Sequence, residues 1–299
     1  MRCYSLSSAP SEVEYYRITI KQKKATDEYP EGKVSNLFHD DVRAGDTLDC
    51  KAPSGHFFYD LNNPKPAILI AGGIGLTPVF SIFSALAQMT SPPECWLFYG
   101  VSSPQEALML ESLRELSQQR EQLHLRICFS QSMDGLMPGV ENINGRVSVA
   151  LMKDMLPSNN YQFFVCAPSR MMEQMIADLI DWQVPQDDIH LEAFGAATVK
   201  SSSSAARIVG RKRSSSCSVT FKRSRKQVLW TPEDGTILDL AEANGVVIDT
   251  GCRAGNCGSC FTAIQSGEVD YLVPPGAEHE DSVCLPCVST PGSDLVVDA

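Results

Sequence analysis

The stretch C-R-A-G-N-C-G-S-C places three cysteines, Cys252, Cys257 and Cys260, at C-x4-C-x2-C spacing. Two further cysteines, Cys284 and Cys287, follow in a short apolar segment. Small residues separate the cysteines of the stretch, so its backbone can bend closely around a compact group. The spacing therefore predicts a loop whose thiolates hold an inorganic centre.

The inorganic centre that this spacing favours is a plant-type [2Fe–2S] cluster, which is held by four thiolates. Gly255, Gly258 and Ser259 allow tight bends that direct N–H groups at the sulfur atoms and so tune the reduction potential. We expect Cys287 to be the fourth ligand, because its apolar neighbours would place it on a strand edge facing the loop. Cys284 is the alternative ligand and is otherwise a small buried hydrophobe. A structural zinc site is the alternative for the whole set, although zinc favours two separated C-x2-C knuckles and only one half has that form here.

The composition is that of a globular protein in a reducing compartment. The 299 residues are enough for two or three domains. Eleven cysteines without a signal-peptide pattern indicate thiols used as ligands rather than disulfides, and hence a cytoplasmic protein.

The net charge of −11 is unevenly distributed. Residues 227–299 contain twelve acidic residues and one basic residue, whereas residues 197–226 contain nine basic and none acidic. An acidic terminal region suits docking on a basic partner protein, with a merely solvated surface as the alternative, and the overall charge argues against nucleic acid. Residues 66–93 carry no charge, but glycines and a Thr-Pro pair interrupt them, so we expect a buried strand and helix rather than a membrane span.

Strands and helices alternate through the middle of the chain. We predict strands at residues 67–71, 96–99, 123–130, 161–166 and 189–194, and helices at 79–89, 103–120, 147–155 and 169–182. Ser103 and Ser169 are the expected caps of the second and fourth helices. This rhythm predicts a doubly wound parallel α/β sheet with ligands at the carboxyl ends of its strands. The G-G-I-G-L-T-P turn at residues 72–78 would bring the backbone close to a dinucleotide phosphate.

The first residues carry an R-C-Y-S pattern that suits a flavin. Arg2 can bind phosphate oxygens, Tyr4 can lie against the isoalloxazine ring, and Ser5 can hydrogen-bond its redox-active nitrogen. Residues 13–21 alternate like a strand. A helix then begins near Ser35, whose free hydroxyl and neighbouring N–H groups would bind a pyrophosphate; an ordinary N-cap at Ser35 is the alternative.

The remaining elements follow a serine- and arginine-rich segment, residues 197–216, which we expect to be a flexible linker. Two strands then meet at a turn near Arg223. Thr236 is the expected N-cap of a helix that runs through Asn244 and ends at Gly245. Strands at residues 261–264 and 295–297 complete the prediction.

Taken together, these features resemble the ferredoxin–NADP reductase superfamily, and most of all its members with a C-terminal ferredoxin domain, such as the reductase components of Rieske-type oxygenases and demethylases. The motifs that carry the resemblance are, in order, RCYS, GKVS, GGIGLTP, VCAP, EAFG and CRAGNCGSC. The resemblance implies a multidomain fold. Its parts are a partial antiparallel β-barrel that binds flavin (residues 1–64), a doubly wound α/β NAD(P)-binding domain (65–196), the linker (197–216) and an α+β β-grasp ferredoxin domain (217–299).

The resemblance also implies roles for individual residues. The flavin would be bound by Arg2, Tyr4 and Ser5, and its pyrophosphate by Gly32, Ser35 and Asn36. Nicotinamide dinucleotide binding falls to Gly72, Gly73, Gly75, Thr77 and Pro78. Cys166 would lie beside the nicotinamide ring, Glu192 and Phe194 would border the flavin, and Ser5, Cys166 and Glu192 are the expected catalytic residues.

Three departures from the family pattern qualify these expectations. The family has barrel strands before the R-x-Y-S strand, so the flavin domain is expected to be incomplete at its N-terminal side. The family's Cys-Gly-Pro is Cys166-Ala167-Pro168 here, and the added methyl weakens stacking of the nicotinamide. Residues 129–132 lack the arginine that NADP-dependent members place against the 2′-phosphate, which favours NADH over NADPH. FAD is favoured over FMN.

The expected function is the transfer of electrons from NADH through a flavin to the [2Fe–2S] cluster and on to an external acceptor protein. That acceptor would be an oxygenase or demethylase component, for example a Rieske-type oxygenase, or a fused upstream haem or molybdenum domain, with quinones as a further alternative. One alternative is a tethered ferredoxin carrier whose reductase half holds no flavin. Another is an adaptor stabilised by zinc, with no redox role.

Overall fold

The computed structural model describes residues 2–26, 30–131, 141–194, 216–272, 275–277 and 279–299. The predicted linker, apart from residue 216, lies outside these ranges, as do Ser132 and the glycine of the EAFG motif. The chain divides into two compact units. The reductase unit comprises Tyr4–Ala52 and Phe57–Glu192, and the ferredoxin unit comprises Met1–Cys3, Pro53–His56 and Ala193–Ala299.

A parallel sheet of six strands forms the centre of the reductase unit. The strands are β1 (Ala67–Gly72), β2 (Cys95–Val101), β3 (Leu123–Phe129), β4 (Glu141–Asn144), β5 (Gln162–Cys166) and β6 (Ile189–Glu192). They lie in the order β4-β3-β2-β1-β5-β6, and every neighbouring pair is parallel. The order reverses between β1 and β5, which is where open α/β sheets bind ligands. The predicted doubly wound sheet is confirmed, with the short strand β4 as an addition.

Five helices accompany this sheet in the described residues: α1 (Lys33–Asp40), α2 (Leu76–Gln88), α3 (Leu110–Gln118), α4 (Val149–Met155) and α5 (Ser169–Asp181). Strand β1 is buried at every position, as is usual for a central parallel strand. Helix α2 buries eleven of its thirteen residues, which accounts for the uncharged stretch from residue 66 to residue 93. None of the helices that the structure describes has the length and apolar character to cross a bilayer.

The structure corrects two of the predicted helix starts. Ser103 makes no capping bond; Pro104–Glu106 is a short 3-10 turn, and the helix begins only at Leu110, after Met109 in the left-handed region. The reason is tertiary, because the hydroxyl oxygen of Tyr99 accepts the N–H of Leu108 and draws it out of a helix. Ser169 is the first residue of α5 rather than its cap, which is Pro168.

The flavin-domain segment contains less regular structure than the sequence indicates. The predicted strand at residues 13–21 is wrong: in the described part of residues 2–64, the structure shows helix α1 and one antiparallel bridge, between Leu6 and Ile18. The guanidinium of Arg17 instead donates to the Ser7 carbonyl at 2.6 and 3.1 Å and lies over the Phe80 ring. In the described residues of this segment, the bridge between Leu6 and Ile18 is therefore what corresponds to the predicted partial barrel.

In its described residues, the ferredoxin unit contains a mixed sheet and one α-helix, which has seven residues. Its elements are β7 (Cys217–Phe221), β8 (Lys226–Trp230), α6 (Ile237–Ala243), β9 (Thr262–Ser266), β10 (Val269–Tyr271), β11 (Val283–Cys284), β12 (Ser289–Pro291) and β13 (Leu295–Val297). Five strands lie in the order β11-β9-β13-β7-β8, and β10 pairs with β12 separately. Only β13 and β7 are parallel among the described pairs of this unit, so the unit has the expected α+β class.

Thr236 is the N-cap of α6, as predicted, and it forms a capping box with Asp239. The Thr236 hydroxyl accepts the N–H of Asp239 at 3.1 Å, and the Asp239 carboxylate accepts the N–H of Thr236 at 3.0 Å. Gly245 follows the helix with φ +65°, the left-handed conformation that ends helices. These two signals set the direction in which the chain enters the cysteine loop.

Candidate functional site

The glycine turn after β1 packs against the end of β5. A methyl group on Gly75 would lie 2.0 Å from the carbonyl oxygen of Cys166, and one on Gly72 would lie 2.7 Å from Cδ of Pro168. The Thr77 hydroxyl donates to the Ile74 carbonyl at 3.2 Å and closes the turn. Backbone from two neighbouring strands therefore meets at the carboxyl edge of the sheet with no side chain between them.

Three residues predicted to be catalytic lie together at this edge. Cys166 pairs in register with Ala71 of β1 on one side and with Glu192 of β6 on the other. The Ser5 hydroxyl donates to Oε1 of Glu192 at 3.5 Å, the outer limit of a hydrogen bond. Burial, with a smaller contribution from Glu192, raises the pKa of Cys166 well above its ordinary value. Cys166 is consequently a neutral thiol, not a nucleophile.

The start of α1 differs from its prediction. Gly32 is the N-cap and makes no side-chain capping bond, so the ordinary cap at Ser35 is excluded. The Ser35 hydroxyl is not free, because it donates to the Gly32 carbonyl and accepts the N–H of Lys23, both at 3.2 Å. The Asn36 amide likewise donates to the carbonyls of Lys23 and Gly32, at 3.0 and 2.8 Å. These side chains hold the turn, and only the helix N-terminus itself is left to attract an anion.

The other predicted flavin contacts are divided between the units. Tyr4 packs edge to face on Phe38 of α1, with ring centroids 5.8 Å apart. Arg2 and Phe194 are exposed and belong to the ferredoxin unit. Gly73 and Pro78 lie in the turn and in the first turn of α2, as expected.

The four predicted ligand cysteines form two pairs. Sγ of Cys260 lies 3.3 Å from Sγ of Cys287. Sγ of Cys257 accepts the backbone N–H of Cys252 at 3.3 Å, which holds the other two cysteines together. Cys260 and Cys287 are buried, whereas Cys252 and Cys257 are half-buried. The loop therefore brings all four predicted sulfur atoms together two by two.

Backbone N–H groups point at the paired sulfur atoms. Sγ of Cys252 accepts from the N–H of Ala254 at 3.4 Å and of Asn256 at 3.3 Å. Sγ of Cys257 accepts from the N–H of Cys252 at 3.3 Å. Gly255 and Gly258 have φ of +78° and +66°, and these left-handed positions fold the loop back on its own sulfur atoms. Donors of this kind offset the negative charge of thiolate ligands.

The two candidates for the fourth ligand, Cys284 and Cys287, lie in different surroundings. The Cys284 thiol points at the Thr262 carbonyl, 3.5 Å away, and lies in a separate apolar cluster with residues of β7 and β13. Cys287 shares its apolar cluster with Cys260. It lies in the turn between β11 and β12, not on a strand edge as predicted.

Arg253 anchors the loop to α6. Its guanidinium binds the carboxylate of Glu242 with both Nη atoms, the longer contact being 3.0 Å. Arg253 also adopts φ +55°, which is uncommon for a residue with a side chain. The two-pronged ion pair holds this backbone conformation next to the first cysteine.

Hydrogen bonding shifts the pKa values of the two cysteines of each pair in opposite directions. The bond from Cys252 lowers the pKa of Cys257, and the same bond raises the pKa of Cys252. In the second pair the pKa of Cys260 is lowered and that of Cys287 raised, again through their mutual bond. Each pair is thus prepared to lose a proton when a metal binds, since metals bind thiolates.

The paired arrangement suits two irons better than one zinc ion. A [2Fe–2S] cluster takes four cysteine thiolates, two on each iron. The pairs, their N–H donors and the apolar floor under Cys260 and Cys287 fit the cluster.

Some features of these sites carried no signal in the sequence. The Cys3 thiol lies beside the sulfur of Cys257, although 254 positions separate the two residues in the chain. A methyl group on Gly251 would collide with both of those sulfur atoms. Met171 of α5 lies close to Gly72 and Gly100 at the carboxyl edge of the sheet. Only tertiary contacts reveal these residues.

Comparison with known families identifies three modules in the same order. Residues 1–59 match the oxidoreductase FAD-binding domain, residues 69–177 the oxidoreductase NAD-binding domain, and residues 220–292 the 2Fe-2S iron-sulfur cluster binding domain. The sheet that the second match covers and the cysteine loop that the third match covers are those described above.

Individual relatives cover either part or all of the chain. The flavohemoprotein of Bacillus cereus is 34% identical over 199 residues, which is 66% of this chain and 49% of that protein. The chain thus spans about half the length of the curated relatives it matches. The flavohem-like FAD/NAD-binding domain of nitric oxide dioxygenase from Vibrio cholerae has 28% identity and a TM-score of 0.54, with 65% of this chain and 77% of that chain covered. Phthalate dioxygenase reductase has the same fold over all of this chain and 83% of its own, with 24% identity and a TM-score of 0.56.

Fold and site define an oxidoreductase with FAD-binding, NAD-binding and [2Fe–2S] modules. The three modules follow one another in the order FAD-binding, NAD-binding and [2Fe–2S]-binding, and the whole chain has the fold of phthalate dioxygenase reductase.

Proposed function

We propose that this chain oxidises NADH and delivers single electrons through its [2Fe–2S] cluster to an external acceptor protein. The observation that carries the proposal is the two-by-two arrangement of Cys252 with Cys257 and of Cys260 with Cys287. A reductase without such a loop would pass electrons to its acceptor directly from the flavin.

The bound groups supply the redox chemistry: nicotinamide gives two electrons as a hydride, flavin accepts them, and the iron pair takes them one at a time. The protein's part is to bind and orient these groups. Gly72 and Gly75 let the turn after β1 pack tightly against the end of β5, and this close-packed edge is assigned to the dinucleotide. The N-terminus of α1, from Gly32, is assigned to the flavin pyrophosphate.

Ser5, Cys166 and Glu192 are assigned to the hydride-transfer site. The Ser5 hydroxyl has one hydrogen-bond partner, Oε1 of Glu192, that a ring nitrogen can replace. The Cys166 thiol stays neutral and contributes a small apolar surface for the nicotinamide. Tyr4, Arg2 and Phe194 are the proposed further contacts of the flavin.

The proposed domain boundaries are residues 1–64, 65–196 and 217–299, with residues 197–216 as a linker. The cofactors are FAD rather than FMN and a [2Fe–2S] cluster. The compartment is the cytoplasm, because the cysteines would serve as ligands there. For the acceptor we keep two candidates, a Rieske-type oxygenase component and a domain fused upstream, the second because the flavohemoproteins extend well beyond the matched region.

NADH is favoured over NADPH because Phe129, Ser130 and Gln131, the described residues at the end of β3, include no cation for a 2′-phosphate. One observation supports the opposite preference. Arg146 directly follows Gly145, whose N–H donates to the Phe129 carbonyl at 2.8 Å. Steady-state kinetics with both nucleotides decide the matter: if Arg146→Ala raises KM tenfold for NADPH alone and NADPH is the better substrate, the preference for NADH is wrong.

Anaerobic titration of the full chain with NADH tests the proposal. After iron, sulfide and flavin have been measured, NADH should bleach both the flavin and cluster bands and produce the EPR signal of a reduced [2Fe–2S] centre. The matched control is Cys287→Ala, in which NADH should bleach the flavin without the EPR signal.

Other results would favour the alternatives. Iron and sulfide without flavin would indicate a tethered ferredoxin carrier. Zinc without iron or sulfide would indicate an adaptor, and NADH that bleaches neither flavin nor cluster in a loaded sample would refute the relay.

A further inference from the structure

Cys3 lies at the cysteine loop, although it belongs to the segment singled out for the flavin. Residues 1–3 are part of the ferredoxin unit. The Cys3 thiol lies beside the sulfur of Cys257, where it can donate a hydrogen bond to that sulfur. The residue is nevertheless exposed at the surface, so its thiol proton can exchange with solvent.

Gly251 creates the space for this contact. A methyl group on Gly251 would lie 2.5 Å from Sγ of Cys3, 3.0 Å from Sγ of Cys257 and 3.0 Å from Oγ of Ser259. Three polar side-chain atoms thus converge where the glycine has no side chain. The contact therefore depends on two residues: Cys3 supplies the thiol, and Gly251 leaves the space for it.

Three groups that can hydrogen-bond to Sγ of Cys257 surround it in this arrangement. They are the N–H of Cys252 at 3.3 Å, the Ser259 hydroxyl at 3.3 Å and the Cys3 thiol. When Cys257 is a thiolate ligand, it has no proton to give and all three groups become donors. Two of these three donors are side chains, which substitution can remove without altering the backbone.

We propose that Cys3 tunes the [2Fe–2S] cluster, by donating a hydrogen bond to the ligand sulfur of Cys257 and so raising the reduction potential. The inference rests on the cluster site of the proposed function. A ligand sulfur carries more negative charge after the cluster gains an electron, so a donor stabilises the reduced state more than the oxidised state. Cys3 binds no iron in this role; it is a positioning residue that acts through Cys257.

A redox titration of the full chain, loaded with iron and sulfide and followed by EPR, tests this role. With Cys3→Ala we expect the midpoint reduction potential of the cluster to become more negative. When the variant is held at the midpoint potential of the unsubstituted protein, its ratio of reduced to oxidised cluster should be about threefold lower. Cys3→Ser keeps a donor and should fall between the two. Cys50→Ala, which removes an exposed thiol of the reductase unit, is the control and should leave the midpoint unchanged.

A second readout reports the proton itself. In D2O the reduced cluster should show a coupled exchangeable deuteron by electron–nuclear double resonance, and Cys3→Ala should lose that coupling. Gly251→Ala, which displaces the Cys3 thiol, should shift the midpoint in the same direction.

The proposal is overturned if Cys3→Ala holds a full complement of iron with an unchanged midpoint and an unchanged deuteron signal. It is also overturned if Cys3→Ala and Cys3→Ser both lose the iron, since Cys3 would then be needed to build the site. Absence of iron from the unsubstituted protein would instead refute the proposed function.

Discussion

The turn at residues 72–76 and the loop at residues 251–260 are both rich in glycine, but their glycines serve different ends. Gly75 has φ −61°, a conformation open to any residue, yet a methyl group there would lie 2.0 Å from the Cys166 carbonyl oxygen. Gly258 has φ +66°, where a side chain strains the backbone itself, and a methyl group there would meet only the movable ring of Phe261. Gly75 is needed for space, whereas Gly258 is needed for shape.

The difference follows from what each turn surrounds. The first lets two backbone segments approach so that a dinucleotide can lie against them, and any side chain would hold them apart. The second curls N–H groups around its own sulfur atoms, as Cys252 shows by accepting two of them. A glycine in a motif therefore identifies a function only after its contacts and its φ are known.

The largest expected effect tests the cysteine loop. Cys287→Ala should abolish cluster binding, because it leaves Cys260 as a lone thiolate where a pair is needed. Cys284→Ala should keep the iron, since that thiol points at the Thr262 carbonyl in another apolar cluster. Iron and acid-labile sulfide per chain, with the visible spectrum, are the measurements; the opposite pattern would make Cys284 the ligand.

The next effect compares the two glycines directly. Gly75→Ala should destabilise the reductase unit by about 3 kcal/mol, because the backbone at Cys166 must move to admit the methyl group. Gly258→Ala should cost about 1 kcal/mol through its left-handed φ and leave most of the iron bound. Urea unfolding followed by tryptophan fluorescence checks both, with Trp96 in the reductase unit and Trp230 in the ferredoxin unit. The contrast between space and shape fails if Gly258→Ala is the more damaging.

The smallest expected effect is the dependence of the reductase unit's stability on pH. Burial lowers the pKa of His124, aided by Arg126 and opposed by Glu94 and Glu141. Burial also lowers the pKa of His190, which Asp188 opposes. The unfolded chain then takes up protons before the folded reductase unit does, so the free energy of unfolding should fall as pH drops below about 6.5.

Urea midpoints between pH 7.5 and pH 5 measure this loss. His190→Phe, which preserves the stacking on Phe164, should flatten part of the slope. If the urea midpoint of this variant falls with pH as steeply as that of the unsubstituted protein, His190 does not contribute to the loss of stability.

Predictions from sequence succeeded where neighbouring residues decide the outcome. The capping box at Thr236 and the stop at Gly245 were both visible, because each depends on residues three or four positions away. They failed where distant contacts compete. Ser103 has the sequence of a cap, yet Tyr99 takes the N–H of Leu108 and the helix starts later. Ser35 looked free, yet its hydroxyl is used by Gly32 and Lys23.

What the sequence determined by itself is the set of parts: alternating strands and helices, and a cysteine spacing that suits four thiolates. Both are local patterns, because hydrogen-bonded turns and ligand loops depend on residues close in the chain. Only the tertiary structure decided which sulfur atoms meet, pairing Cys260 with Cys287 rather than Cys284 and bringing Cys3 to Cys257. Such contacts join residues far apart in the chain, and their positions follow from how the sheets and the loop pack.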